Sequence, residues 1–174
     1  MKSSKRRTAA QPSPGQPPQL QVAALCWRRS AKGLRILLIT SRDTGRWVIP
    51  KGWPMRKRTE AQAAAREAFE EAGLQGEIAP RSIGVYRYVK SLEAGRKLAC
   101  AVRVFPMEVH AMVRKYPETG QRRSKWFSPG KAARRVAEPD LAALIRDFDP
   151  EPPEEAATAP EAAGPEAFSP EAGR

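Results

Sequence analysis

Apolar and polar positions change period along this chain, and the changes mark its elements. Gln21 to Trp27 is a nearly unbroken apolar run and Leu34 to Thr40 is another, with Lys32-Gly33 between them as a turn. The two read as paired strands. Arg46 to Ile49 reads as a short strand. From Thr59 to Ala72 the period becomes helical, with Ala61, Ala64, Ala65, Ala68 and Ala72 recurring on one side. Thr59 suits the N-cap, Gln62 three residues on completes a capping box, and Gly73 sits where a left-handed C-cap residue belongs. Alternation returns over Ser82 to Tyr88 and Lys97 to Val109, and Pro106 hints at an edge or bulge in the longer strand. His110 to Gln121 reads as loop and Lys125 to Phe127 as a short strand. Gly130 to Ala137 and Pro139 to Phe148 read as helices, the second opened by its proline. Strands interleaved with helices point to an α/β (α+β) domain with a sheet between helices.

The helix over 59–72 carries Glu67, Glu70 and Glu71, at i, i+3 and i+4. Those positions share one face, turned away from the alanines. A Glu-rich helical face is usually just solvated. Here it is preceded by Pro50-Lys51-Gly52-Trp53, a turn with a glycine and a lysine. Three clustered carboxylates repel one another unless a cation sits among them, and hard oxygen ligands suit Mg2+ or Mn2+.

Residues 52 to 74 resemble the Nudix box, the signature of the Nudix hydrolase family. The pattern runs Gly, five residues, Glu, seven residues, then Arg-Glu-aliphatic-x-Glu-Glu-x-Gly-aliphatic. Gly52, Arg66, Glu67, Ala68, Glu70, Glu71, Gly73 and Leu74 match it, and Arg58 stands where it asks for Glu. In the family that first glutamate mostly positions the loop and helix, so Arg58 removes an internal partner of Arg66. Glu60 could replace it, or Arg66 could pair with Glu70. The similarity covers about residues 20 to 148, including Arg46 to Trp53 before the box and Lys125-Trp126-Phe127-Ser128-Pro129 near the end. It is nearest the branch of diphosphoinositol polyphosphate and diadenosine polyphosphate hydrolases.

The resemblance implies an α/β/α sandwich with a central mixed sheet, and Mg2+-dependent hydrolysis of a diphosphate linkage. Glu70 and Glu71 would be metal ligands, and Glu67 the third ligand or the general base. Arg66 would orient the glutamates. Some members carry the base outside the box. Glu108 and Glu118 lie in that part of the chain, though each reads more readily as a surface or loop residue. Gly52 would give the pyrophosphate close access to the backbone, and Lys51 would contact phosphate.

The 174 residues carry a net charge of +12, unevenly placed: +4 over residues 1–20, +14 over 21–148 and −6 over 149–174. The two ends are poor in apolar residues and are expected to be disordered tails flanking one domain at 21–148. So basic a body attracts polyanions. Arg42, Arg56, Lys57, Arg58, Lys97, Arg122 and Arg123 are candidates for phosphate recognition, with Arg56-Lys57-Arg58 expected to border the site. A highly phosphorylated small molecule, such as a dinucleoside polyphosphate or an inositol pyrophosphate, is the expected substrate. RNA with a 5′-triphosphate end is the enzymatic alternative, and a non-catalytic binding module the other. Trp53 could stack on a base, while Trp47 and Trp126 suit the core. Cys26 and Cys100 are expected as buried free thiols, and the lone His110 gives little support to a His-based nucleophile. No stretch is long and apolar enough to span a membrane, and a cytoplasmic setting is expected.

Overall fold

The computed structural model of the protein describes residues 17–150. The tails expected at 1–20 and 149–174 lie mostly outside the described residues, and Gln19 and Leu20 already belong to the first strand. The order is β1 (Gln19–Ser30), β2 (Gly33–Thr40), β3 (Trp47–Val48), β4 (Lys51–Gly52), α1 (Glu60–Ala72), β5 (Leu74–Ile78), β6 (Gly84–Ser91), β7 (Lys97–Met112), β8 (Ser124–Phe127), α2 (Pro129–Ala133) and α3 (Pro139–Asp147). The strands form one mixed sheet along the path β3-β2-β1-β7-β5, with β4 on β1, β6 on β7 and β8 on β2. β1 and β7 run parallel at the centre, and the other pairs are antiparallel.

The continuous apolar run of β1 is explained by burial on both faces. Val22, Ala24 and Cys26 pack beneath α1, together with Leu37, Ile39, Phe105 and Met107. Ala23 and Leu25 point to the opposite face and pack with Ile36, Leu38, Val102 and Val104 under α2 and α3, where Leu141 and Ile145 are fully buried. The result is an α/β/α sandwich. Ala61, Ala64, Ala68 and Ala72 are buried against the sheet, and their small side chains let α1 lie close to it. Its capping box forms on both sides, Thr59 Oγ1 accepting from the Gln62 N–H and Gln62 Oε1 accepting from the Thr59 N–H. Gly73 closes the helix at φ 67°, a left-handed conformation that costs glycine little.

Several boundaries differ from the sequence reading. Lys51-Gly52 bridges to Val22 and Ala23 of β1 instead of forming only a turn. Leu74–Ile78 is a strand that its polar, glycine-containing pattern concealed. β7 runs on to Met112, so the loop begins later, and α2 ends at Ala133. Pro106 lies inside the sheet, opposite Leu25 of β1, and not at an edge. It is tolerated because β6 pairs with β7 up to Val104 and β5 from Met107, so the missing N–H falls where one neighbour hands over to the next. Cys26 and Cys100 are buried and free. No helix among the described residues is long and apolar enough to cross a membrane.

Candidate active site

The first helix carries Glu67 and Glu71 into a cleft of about 670 Å³ that Gln21, Lys51 and Gly52 also line. Glu71 stands three positions after the buried Ala68, so it falls at the margin of the packed face. It is 8% exposed, which corrects the expectation that all three glutamates turn away from the core. Two donors meet this buried carboxylate. The Lys51 backbone N–H donates to Oε2 at 3.1 Å, and Arg122 Nη2 donates to Oε1 at 2.6 Å. Burial raises the Glu71 pKa, and the Arg122 guanidinium opposes the rise.

Arg122 is nearly as enclosed, its side chain 9% exposed. Its Nε donates to Glu118 Oε2 at 2.8 Å and its Nη1 to the Thr40 carbonyl at 3.2 Å. One guanidinium therefore ties α1, the end of β2 and the 113–123 loop together. The loop is also docked through its backbone, where the Glu118 N–H donates to the Glu70 carbonyl at 3.0 Å. Arg42 lies 3.6 Å from the other oxygen of Glu118. Glu118 thus stands in the cleft beside Glu67 and Glu71, whereas Glu108 is exposed on β7 next to His110.

Glu67 lies against Gly52. A Cβ on Gly52 would come within 2.1 Å of the Glu67 carboxyl carbon, so the glycine provides the room this side chain occupies. No ion pair engages Glu67 among the described residues. Burial pushes its pKa up to about 7, with Glu71, Glu70 and Glu118 adding to the rise. Glu70 Oε1 accepts from Arg66 Nε one turn back. Glu60 is taken by Arg103 at 2.6 Å, so of the two partners considered for Arg66 it is Glu70 that holds it.

The opposite wall is cationic. Arg42, Arg46, Lys51, Arg87 and Lys90 line the cleft with the exposed ring of Trp53, and Lys90 Nζ lies 5.7 Å from that ring. Burial lowers the Lys51 pKa while Glu71 pulls it back up. Arg46 pairs with the buried Glu138 at the far end. The cations expected near the site separate into groups. Arg42 and Lys51 line the cleft. Arg56, Lys57 and Arg58 line a different depression with Arg66. Arg123 lies over Trp47, 5.9 Å from its ring centroid, and Lys97 opens β7 opposite Ser91; neither lines the cleft. Arg46, Arg87, Lys90 and Glu138 were not singled out from the sequence. The one local signal was Arg87 between two outward valines on β6; the others reach the cleft only through tertiary folding.

The donors at this end of α1 are hard carboxylate oxygens, and their chemistry fits Mg2+ or Mn2+. Among the described residues no three acidic or other ligating side chains stand close enough together to hold an ion as they are. Arg66 and Arg122 draw Glu70 and Glu71 toward themselves, and ligation requires those side chains to turn.

A mixed sheet between helices, with its first helix presenting glutamates to a cationic cleft, defines the class of protein. The NUDIX domain matches residues 19–148, and the chain belongs to the Nudix family. Over 104 residues it is 33% identical to Nudix hydrolase 13, mitochondrial, of Arabidopsis thaliana, covering 57% of this chain and 52% of that protein. Over 66 residues it is 35% identical to diphosphoinositol polyphosphate phosphohydrolase 3-alpha of Homo sapiens, covering 38% and 40%. The chain spans about half the length, or less, of these curated relatives. A C. elegans Ap4A hydrolase binary complex shares the fold with a TM-score of 0.56 at 22% identity, over 74% of this chain and 93% of that one. The MutT protein from Methanosarcina mazei Go1 does so with a TM-score of 0.56 at 23% identity, over 76% and 94%.

Proposed function

We propose that the protein is a Mg2+- or Mn2+-dependent hydrolase that cleaves a diphosphate linkage in a polyphosphorylated small molecule. The observation that carries this reading is Glu67: a half-buried carboxylate crowded by Glu70, Glu71 and Glu118, without a protein cation of its own, facing a wall of lysine and arginine. Such a carboxylate calls for a bound cation or a proton to move. Glu70, Glu71 and Glu118 would hold the ion. When bound, the ion supplies neutralisation of the phosphate oxygens and polarisation of phosphorus.

The chain's own residues do the rest. Arg42, Lys51, Arg87 and Lys90 bind and orient the phosphate chain along the cleft, and arginine adds bidentate contacts. Gly52 keeps the Glu67 carboxylate in place and clear of backbone. Glu67 accepts the proton of the attacking water, and a bound cation would favour the ionised form that this task needs. The relatives point to dinucleoside polyphosphates and diphosphoinositol polyphosphates as the first substrates to try.

The test is a phosphate-release screen with and without Mg2+. It covers dinucleoside polyphosphates, inositol pyrophosphates, nucleoside diphosphate sugars, nucleoside triphosphates and 5′-triphosphate RNA. Turnover of a small molecule that vanishes in Glu70→Gln while the fold persists is the expected result. Preference for RNA ends would replace the substrate class, and silence with ligand binding intact would leave a binding module.

A further inference from the structure

The depression on the other flank of α1 differs from the cleft in one respect that decides its chemistry. Arg56, Lys57, Arg58 and Arg66 line it with Gln62, Ala65 and Ile78, and no carboxylate lines it. Its volume is about 640 Å³, comparable to the cleft. Arg56, Lys57 and Arg58 are exposed and form no ion pair among the described residues. Arg66 gives its Nε to Glu70, and its two terminal nitrogens have no hydrogen bond among the described residues. Four like charges around one concavity repel one another, the more so as salt is lowered.

The loop holding them is pre-set. The Arg58 N–H donates to the Met55 carbonyl at 3.3 Å, Lys57 takes a left-handed φ of 62°, and Thr59 begins the capping box immediately afterwards. A backbone already set loses less freedom when a ligand arrives. A carboxylate at position 58 would give Arg66 an internal partner. Arginine at that position leaves the partner to come from outside.

We infer that this depression is a second anion site, separate from the cleft, which takes a phosphoryl-rich anion between Arg58 and Arg66 with Arg56 and Lys57 as flanking contacts. Guanidinium pairs match tetrahedral oxyanions bidentately, so a short polyphosphate chain is the fitting ligand. The site has a consequence for the cleft. An anion that recruits Arg66 loosens its hold on Glu70, and freeing Glu70 strengthens cation binding, so the two ligands assist each other reciprocally. That coupling rests on the metal-binding role proposed for Glu70; the anion site itself does not.

Calorimetric titration of the whole chain with inorganic tripolyphosphate, in excess EDTA, tests the site without any metal. Two binding equivalents are expected, one lost in Arg58→Glu and in the milder Arg58→Ser, and retained in Lys51→Met. Unchanged stoichiometry and affinity in both Arg58 variants, or a single equivalent removed by Lys51→Met, would overturn it. A Mn2+ titration in sulfate against chloride at matched ionic strength tests the coupling. Sulfate should tighten Mn2+ binding at least about fivefold in the parent chain and not in Arg58→Glu, the lower end of the usual range of site coupling. Equal affinities in both salts overturn the coupling alone. Absence of Mn2+ binding in either salt would sink the proposed function and leave the anion titration standing.

Discussion

The two concavities flanking α1 are both lined by arginine and lysine, yet only the cleft has charge of the opposite sign. There Arg122 joins Glu71 and Glu118, Arg42 approaches Glu118, and Arg46 joins Glu138. In the depression four cations line the wall with no acid among them. An all-cationic wall binds anions and can do little else. A wall that interleaves carboxylates with cations can hold a phosphate chain, take up a divalent ion and accept a proton at one place. The helix between them serves both: Glu67 and Glu71 face one side, Arg66 faces the other, and Glu70 is tied to Arg66 between them.

The largest effect that tests this division falls on Glu67. Glu67→Gln should lower kcat about 10²–10⁴-fold, the usual worth of a positioned base. In saturating Mn2+ the melting temperature should stay near that of the parent chain, and so should the Mn2+ affinity. Loss of Mn2+ binding would instead make Glu67 a ligand and move the base elsewhere. Arg122→Met comes next. It strands two carboxylates that share one buried cation, and removing one partner of a buried pair costs about 3–5 kcal/mol. Urea unfolding measures this. A loss below about 1 kcal/mol, the worth of an exposed pair, would show that the cleft's internal charges are not buried together. The corresponding substitution in the depression, Arg58→Ser, should leave stability nearly unchanged.

Legibility in the sequence follows the same division. The helix and its caps were local: Thr59, Gln62 and Gly73 each act within four residues, and each stands where the pattern put it. The alternating and continuous apolar runs marked β1, β2, β6 and β7, because burial on one or two faces leaves a period. β5 left none. It pairs on one side only with β7, three of its five residues are exposed, and Gly76 interrupts it. The acidic stripe was visible, but the burial of Glu71 was not, because its partner Arg122 is 51 residues away. Glu118 read as a loop residue for the same reason. Its place in the cleft depends on the 113–123 loop folding back onto the end of α1. The basic run 56–58 was legible as charge, yet its expected place beside the glutamates was not where the turn before α1 directs it.

Gly52→Ala should produce a smaller but more selective change. The added methyl meets the far end of the Glu67 side chain, which can swing aside, and the backbone can keep its course. Misplacing a reacting group by about 1 Å can cost ~10²-fold in rate. Activity should therefore fall by up to that factor with melting temperature almost unmoved. A large stability loss with unchanged specific activity would mean that Gly52 serves only β4.

The crowding of carboxylates also predicts a pH dependence confined to the cleft. In the chelated protein Glu67 has a pKa of about 7 against an ordinary 4.5, so between those values the folded state holds a proton that the unfolded chain has released. Stability contributed by this group is therefore highest at the acid end and falls as pH rises through the window. Glu71, raised in the same direction, adds to the trend. The difference in unfolding free energy between the parent chain and Glu67→Gln isolates the effect from other carboxylates. That difference should move against the parent between pH 4.5 and 7 in EDTA and shrink when Mn2+ is added. Movement in the opposite direction would remove the crowding argument. Arg58→Ser should leave the same slope intact, since no acid lines the depression.

The smallest effect tests whether the depression depends on the turn before α1. Thr59→Ala removes one of the two capping hydrogen bonds and should cost about 1 kcal/mol of stability. The lost contact lies next to Arg58 and more than a full helical turn before Glu67. Fraying at that end should weaken tripolyphosphate binding in the depression while kcat in the cleft stays within about twofold, the cap being worth only about a kcal/mol. Equal losses in both would mean that the helix transmits the disturbance along its length, and that the two concavities behave as one site.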